Sequence, residues 1–257
     1  MRSLVRAAAL CCQPNDNVRR RGEMDDPDAN WRNTHWARTL DAAQLGRVAA
    51  ELARVDFPGG TVVCRKGDPV DAWVGVVDGL VKISSVSSEG KAVTFAGVPA
   101  GGWFGEGSLL KDTVRQYDVV ALRDSRIAFM PRGTFQWLLD TSIGFNRFLL
   151  TQLNERLGQF IATVEFDRLL DPDSRVARCL AQLFNPHLYP GTDPKLQISQ
   201  EEIGYLSGVS RQRVNQALAC LERAGLLQVT YGGVTVLDLA GLARYPEAGV
   251  APPRAPR

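Results

Sequence analysis

The chain has 257 residues, 45% of them hydrophobic and 23% charged, with a formal net charge of +2. That length holds one large domain or two small ones and buries a core without staples, which excludes a wholly disordered or collagen-like chain. No stretch reaches the ~18 consecutive apolar residues of a membrane-spanning helix, and the near-balanced charge gives no sign of nucleic acid by itself.

Residues 1–30 are polar and mixed in charge, with Arg19-Arg20-Arg21 shortly before Asp25-Asp26, and read as a flexible tail. Ala7 to Gln13 sits at the short edge of a secretory core, is only partly apolar and lacks a small-residue cleavage motif, so it joins the tail. Met24 is an alternative start. From Leu40 the pattern turns helical. Leu45, Val48, Ala49 and Leu52 recur at helical spacing, and the helix must stop before Phe57-Pro58-Gly59-Gly60. Short β-rich runs follow at 61–64, 72–77, 80–86, 92–98, 118–122 and 126–130, separated by turn residues. Among these turns, Asp78-Gly79 carries the signature of a two-residue hairpin. Many short strands at this spacing imply a sandwich, barrel or jelly roll.

Residues 133–140 form a short helix and 142–170 a long one. On the long helix Leu150, Leu153, Leu157, Phe160 and Val164 step alternately by three and four, a heptad seam about two heptads long. Such a seam packs either on its own domain or on a second copy. Asp171 then caps a new helix with Pro172 at its first position, placing a domain boundary near 170. That helix runs to about 184, and 185–194 is a loop rich in Pro and Gly.

Residues 198–224 carry the most specific pattern. Ser199 and Glu202 make a capping box, Ile203 and Leu206 face inward, and Gly204 leaves room for a helix to cross closely. Gly208 supplies the positive φ of a tight turn, and Ser210 caps a second helix. Val214, Ala217, Leu218 and Leu221 form the buried stripe of that helix. Arg211, Gln212, Asn215 and Gln216 lie away from the stripe and Arg213 at its edge. Arginine pairs with guanine O6/N7, and Asn or Gln with adenine N6/N7, so this face suits the major groove. A hairpin turning at Gly232-Gly233 follows, making the motif winged.

In this order of segments, with Glu202-Ile203-Gly204 and Val209-Ser210-Arg211, the sequence resembles the Crp/Fnr family of bacterial transcription regulators over about residues 40–240. The resemblance implies an α+β chain. An N-terminal antiparallel, jelly-roll-like β-roll of the cyclic-nucleotide-binding type spans 31–141. A dimerisation helix spans 142–170 and a winged helix-turn-helix domain 171–245, before a second tail at 246–257. It decides the heptad in favour of a homodimer seam. It assigns Arg211, Gln212 and Gln216 to base reading, with Ser199, Gln200, Ser210, Arg213 and Asn215 completing the contacts to double-stranded DNA. RNA polymerase is an implied partner, the cytoplasm the implied location, and no membrane is involved.

The resemblance also points to an effector loop of Gly105, Glu106, Arg115 and Gln116. Family members that bind cyclic AMP place a small hydroxyl residue after the arginine, where this chain has Gln116-Tyr117, and small polar residues where it has Phe160 and Ile161. A buried site without matching hydrogen bonds loses affinity steeply, so a cyclic nucleotide is a weak expectation and no cofactor is assigned. The plain alternative is a Glu106–Arg115 salt bridge that holds the loop. An effector, where there is one, acts by favouring one orientation of the recognition helices about Asp171-Pro172.

The five cysteines (Cys11, Cys12, Cys64, Cys179, Cys220) are odd in number and scattered, which suits a reducing cytosol rather than a disulfide framework or an iron–sulfur site. The two histidines, His35 and His187, flank the roll, so no metal site is expected. A cupin-like enzyme would need histidines inside the roll, and no P-loop, nucleophile elbow or HExxH occurs, so no enzyme is expected.

Overall fold

The structure is a computed structural model that describes residues 29–245 apart from 88, 91 and 191. The two tails therefore lie outside the described residues, with Met24, the arginine run, Cys11 and Cys12, except that Ala29 opens a 3-10 turn, Ala29–Asn33.

The roll is built from β1 (Ala53–Phe57), β2 (Val62–Cys64), β3 (Ala72–Asp78), β4 (Leu80–Val86), β5 (Ala92–Pro99), β6 (Trp103–Phe104), β7 (Asp118–Ala121) and β8 (Ser125–Pro131). One antiparallel sheet has the order β1-β8-β3-β6 and the other β2-β7-β4-β5. Their facing sides meet through Val74, Val76 and Ile127 of the first and Val81, Ile83 and Val119 of the second. β1 lies where the helix was expected to continue. Its residues alternate, with Arg54 and Asp56 exposed while Phe57 is buried, and Asp56 accepts a 2.8 Å bond from Arg126 Nε of β8. That period of two fits a strand and not a helix.

Asp78-Gly79 is not a hairpin. β3 and β4 lie in different sheets, and Gly79, at φ 96°, turns the chain from one to the other. A Cβ there would sit 2.3 Å from Ser125 Oγ. The glycine thus answers to a sheet corner as well as it would to a hairpin, and the two-residue signature cannot tell them apart.

Helices α1 (Ala42–Glu51), α3 (Arg132–Thr141) and the start of α4 (Ile143–Leu169) cover the outer face of the first sheet, while the short α2 (Glu106–Lys111) follows β6. β3 is buried on both faces, which explains its unbroken apolar run. Val74 and Val76 point into the roll, whereas Trp73 points out into a cluster with Trp31, Trp36, Trp103, Phe135 and Phe145. Trp73 and Trp103 stand 4.6 Å apart between ring centroids. Gly75 has no side chain because the Trp103 ring lies 2.4 Å from where its Cβ would be.

The C-terminal part comprises α5 (Pro172–Gln182), β9 (Lys195–Leu196), α6 (Gln200–Ser207), α7 (Arg211–Arg223), β10 (Leu227–Thr230), β11 (Gly233–Val236) and α8 (Leu239–Ala243). It packs on the outer face of the second sheet. Leu80, outward on β4, joins the core formed by Val176, Leu180, Ile203, Leu218 and Leu221. In return, Leu188 and Tyr189 of the loop after α5 are buried in the core of the roll. Among the described residues no helix is long and apolar enough to cross a membrane.

Candidate nucleic-acid interface and effector loop

Two side-chain caps fix the helix-turn-helix. Ser199 Oγ accepts from the Glu202 amide and the Glu202 carboxylate accepts from the Ser199 amide, so the capping box closes in both directions. Ser210 Oγ accepts from the Arg213 amide at the start of α7. Between the helices Gly208 takes φ 64°. Gly204 lies against both the turn and the second helix. The Val209 carbonyl oxygen lies 2.8 Å from the position its Cβ would take, and Val214 Cγ2 on α7 lies 3.9 Å from it.

Val214, Ala217, Leu218 and Leu221 are buried, as their spacing requires, and Arg211, Gln212, Asn215 and Gln216 are exposed on the other side of α7. Ser199 and Ser210 are exposed at the two helix starts. Gln200 Nε2 donates to Asn215 Oδ1 at 3.1 Å, which brings the first turn of α6 against α7. Arg213 is half-buried and engaged within the domain: its guanidinium donates to Gln216 Oε1 at 3.0 Å and stands 2.9 Å from Asp173 of α5.

The wing turns at Tyr231-Gly232, one residue earlier than expected. Gly232 has φ 74°, and Gly233 already pairs with Thr230 inside the ladder. The second glycine serves β9, since a Cβ on Gly233 would meet the Leu196 carbonyl oxygen. β9 itself was not expected. It is two residues long and pairs with β11, too short for any periodic signal.

The effector loop places Gly105, Glu106 and Arg115 together, but without the salt bridge proposed for it. Glu106 is buried. Its Oε1 accepts from Arg156 Nε of α4 at 3.0 Å, and its Oε2 from Trp73 Nε1 at 3.2 Å. Burial alone would lower the Arg156 pKa, and the Glu106 carboxylate, with Tyr189 and Tyr117 beside it, holds it above the usual value. Burial, reinforced by the Glu106 charge, pushes the Tyr117 phenol up to about 12. Arg115 is only 4% exposed and its Nη1 has no hydrogen-bond partner. Gly105, at φ 95°, lies beneath it, where a Cβ would be 3.2 Å from that nitrogen. Gln116 is exposed and its amide turns back to the Val114 carbonyl at 2.8 Å.

Arg156 is the residue sequence reasoning missed. It sits one turn after Gln152 on α4, and both side chains donate to the Trp103 carbonyl, a tertiary contact with no signal in the local sequence. On the seam, Leu150, Leu157, Phe160 and Val164 are exposed and Leu153 is half-buried. The two histidines approach to 6.2 Å between rings, and His35 Nε2 lies 2.9 Å from the Pro186 carbonyl oxygen.

Residues 54–142 match the cyclic nucleotide-binding domain family and residues 174–245 the Crp-like helix-turn-helix domain family. The cyclic AMP receptor protein of Thermus thermophilus is 30% identical over 186 residues, covering 72% of this chain and 83% of that protein. Transcriptional regulator SdrP of the same organism is 29% identical over 198 residues, covering 76% and 94%. The solved structure of the c-di-GMP responsive global regulator CLP from Xanthomonas campestris is 25% identical with a TM-score of 0.55, covering 76% of this chain and 99% of that one.

Proposed function

Because the chain belongs to the Crp/Fnr family of DNA-binding transcription regulators, we infer that it works as a homodimer whose two α7 helices read an inverted-repeat site. The observation that carries this reading is the row of exposed Arg211, Gln212, Asn215 and Gln216 opposite a fully buried stripe, on a helix capped at its start. Arg211 suits a guanine, and Gln212 and Gln216 suit adenines. Ser199, Gln200 and Ser210 stand at helix N-termini, where backbone N–H groups favour phosphate oxygens. Arg213 meets Asp173 inside the domain, so its contribution to DNA is to hold α7 in place. The exposed apolar side of α4 is the dimer seam. The half-sites then lie about 10 base pairs apart, or a multiple, centre to centre. The regulator acts in the cytoplasm, at promoters and with RNA polymerase.

A cyclic nucleotide fits the loop only in part. Arg115 Nη1 is buried without a partner and suits an anionic phosphate, which supports a second reading as a ligand-requiring regulator. Glu106, the acceptor a ribose hydroxyl would need, already serves Arg156 and Trp73. Phe160 and Ile161 offer no polar partner to a purine. We therefore favour a dimer competent for DNA without cyclic AMP.

The test is selection of bound duplexes from a random pool, with and without cyclic AMP. One palindromic site recovered equally in both arms is the expected result. Recovery only with cyclic AMP would establish the second reading, and no enrichment in either arm would contradict direct DNA reading without an added effector.

A further inference from the structure

The outer face of the second sheet meets α6 through residues that belong neither to the recognition helix nor to the effector loop. On β4 and β5, Lys82 and Gly97 are paired neighbours that point away from the roll. Lys82 Nζ lies 4.2 Å from the centre of the Tyr205 ring, and Leu206 lies 2.9 Å from where a Gly97 Cβ would be. Beside them the turn between β7 and β8 supplies Arg123. Its Nη2 donates to both carboxylate oxygens of Glu202, at 2.7 and 2.8 Å.

Glu202 is the same carboxylate that closes the capping box onto the Ser199 amide. Only 8% of the residue is exposed. A phosphate approaching Ser199 and the free amides of the first α6 turn therefore comes close to a fixed negative charge. At a separation of about 7 Å, two like charges repel enough to weaken binding about threefold even at the dielectric of water, and more at a protein surface.

We propose that Arg123 of the roll is a positioning residue for DNA binding, which seats α6 on the β4–β5 face and neutralises the Glu202 carboxylate beside the phosphate-facing amides. This rests on the reading in which Ser199 and Gln200 meet the DNA backbone. It couples the roll to the DNA-binding part by direct contact with α6, in addition to the path through α4 and Asp171-Pro172. The Lys82–Tyr205 and Gly97–Leu206 contacts set the distance at which Arg123 reaches its partner.

The test is a double-mutant cycle on the full chain, with a duplex from the selection at fixed salt. Arg123→Ala should weaken binding roughly tenfold, since it leaves a largely buried carboxylate uncompensated. Glu202→Gln keeps a capping-box side chain and removes the charge that Arg123 neutralises in wild type, so it should bind within about twofold of wild type. Arg123→Ala/Glu202→Gln should bind within about twofold of Glu202→Gln alone, because the arginine has lost its task. Equal affinity of Arg123→Ala and wild type would overturn the proposal. So would a double variant as weak as Arg123→Ala, since the arginine would then act without Glu202. Should Arg123→Ala not fold, the comparison of Glu202→Gln with the double variant decides in the same way. Arg211→Ala run alongside separates the premises. If it binds like wild type, recognition by α7 has failed, whereas its loss beside an unaffected Arg123→Ala refutes only the role of Arg123.

Discussion

Glu106 and Arg156 face each other with side-chain exposures of 2% and 11%. A pair this buried adds little net stability over apolar residues of the same size, but removing one partner strands the other charge. Arg156→Met keeps most of the volume and takes away the guanidinium. We expect it to lower unfolding free energy by roughly 3 kcal/mol in denaturant titration. Adding Glu106→Gln should recover most of that loss, since no buried charge then remains. A single variant with unchanged stability would mean that water reaches Glu106. The sequence displayed Glu106 and Arg115 in one short stretch and so invited pairing them. The true partner lies 50 residues away on another element, and nothing local encodes that contact. The two faces of α7, on which the proposed recognition residues lie, were legible because cap, buried stripe and exposed face all fall within one stretch. Periodicity alone separates these two faces of α7.

Elements were legible in proportion to how much of their pattern is internal. α4, α5, α6 and α7 announce themselves through Ser142, Asp171, Ser199 and Ser210, each of which caps the helix that follows. β6 and β9 are two residues each and exist only through their neighbours. The sheet to which β3 or β4 belongs is a tertiary fact, which is why Asp78-Gly79 misled. α4 carries the prediction at this scale. Its stripe leaves Leu157 58% and Phe160 42% exposed, an apolar face unusual on a helix with no partner. On the dimer seam proposed for α4, Leu157→Glu with Phe160→Glu would set like charges against each other while touching no core residue of the single chain. Sedimentation should then show a dimer for wild type, as proposed, and monomers for this variant at the same concentration. Affinity for the inverted repeat should fall at least about 100-fold, because the second half-site no longer binds as part of the same particle. An unchanged sedimentation coefficient would place the dimer contact elsewhere.

The two halves of the molecule exchange anchors. Leu80 leaves the roll to join the core of the DNA-binding part, and Leu188 and Tyr189 return from that part into the roll. Tyr189 is 1% exposed, and its hydroxyl reaches Gln159 of α4 at 3.4 Å. Gly102 makes its seat, since a Cβ there would stand 2.9 Å from the Tyr189 ring and 2.5 Å from Val98. A rotation about Asp171-Pro172 alone would have to withdraw this tyrosine, and burying a large aromatic side chain contributes about 2–3 kcal/mol. The halves should therefore melt together, and calorimetry of the wild type should show one cooperative transition. Tyr189→Ala removes the anchor and leaves a cavity in the roll, a loss of roughly 3–5 kcal/mol for a truncated aromatic of this kind. We expect its endotherm to split, with the smaller DNA-binding part melting first. A single transition that merely shifts to lower temperature would show that Leu80, Leu206 and the Arg123–Glu202 bridge hold the halves together without the tyrosine. Two transitions already present in wild type would mean that the anchors are too weak to couple them, and orientation of the recognition helix would then rest on the hinge.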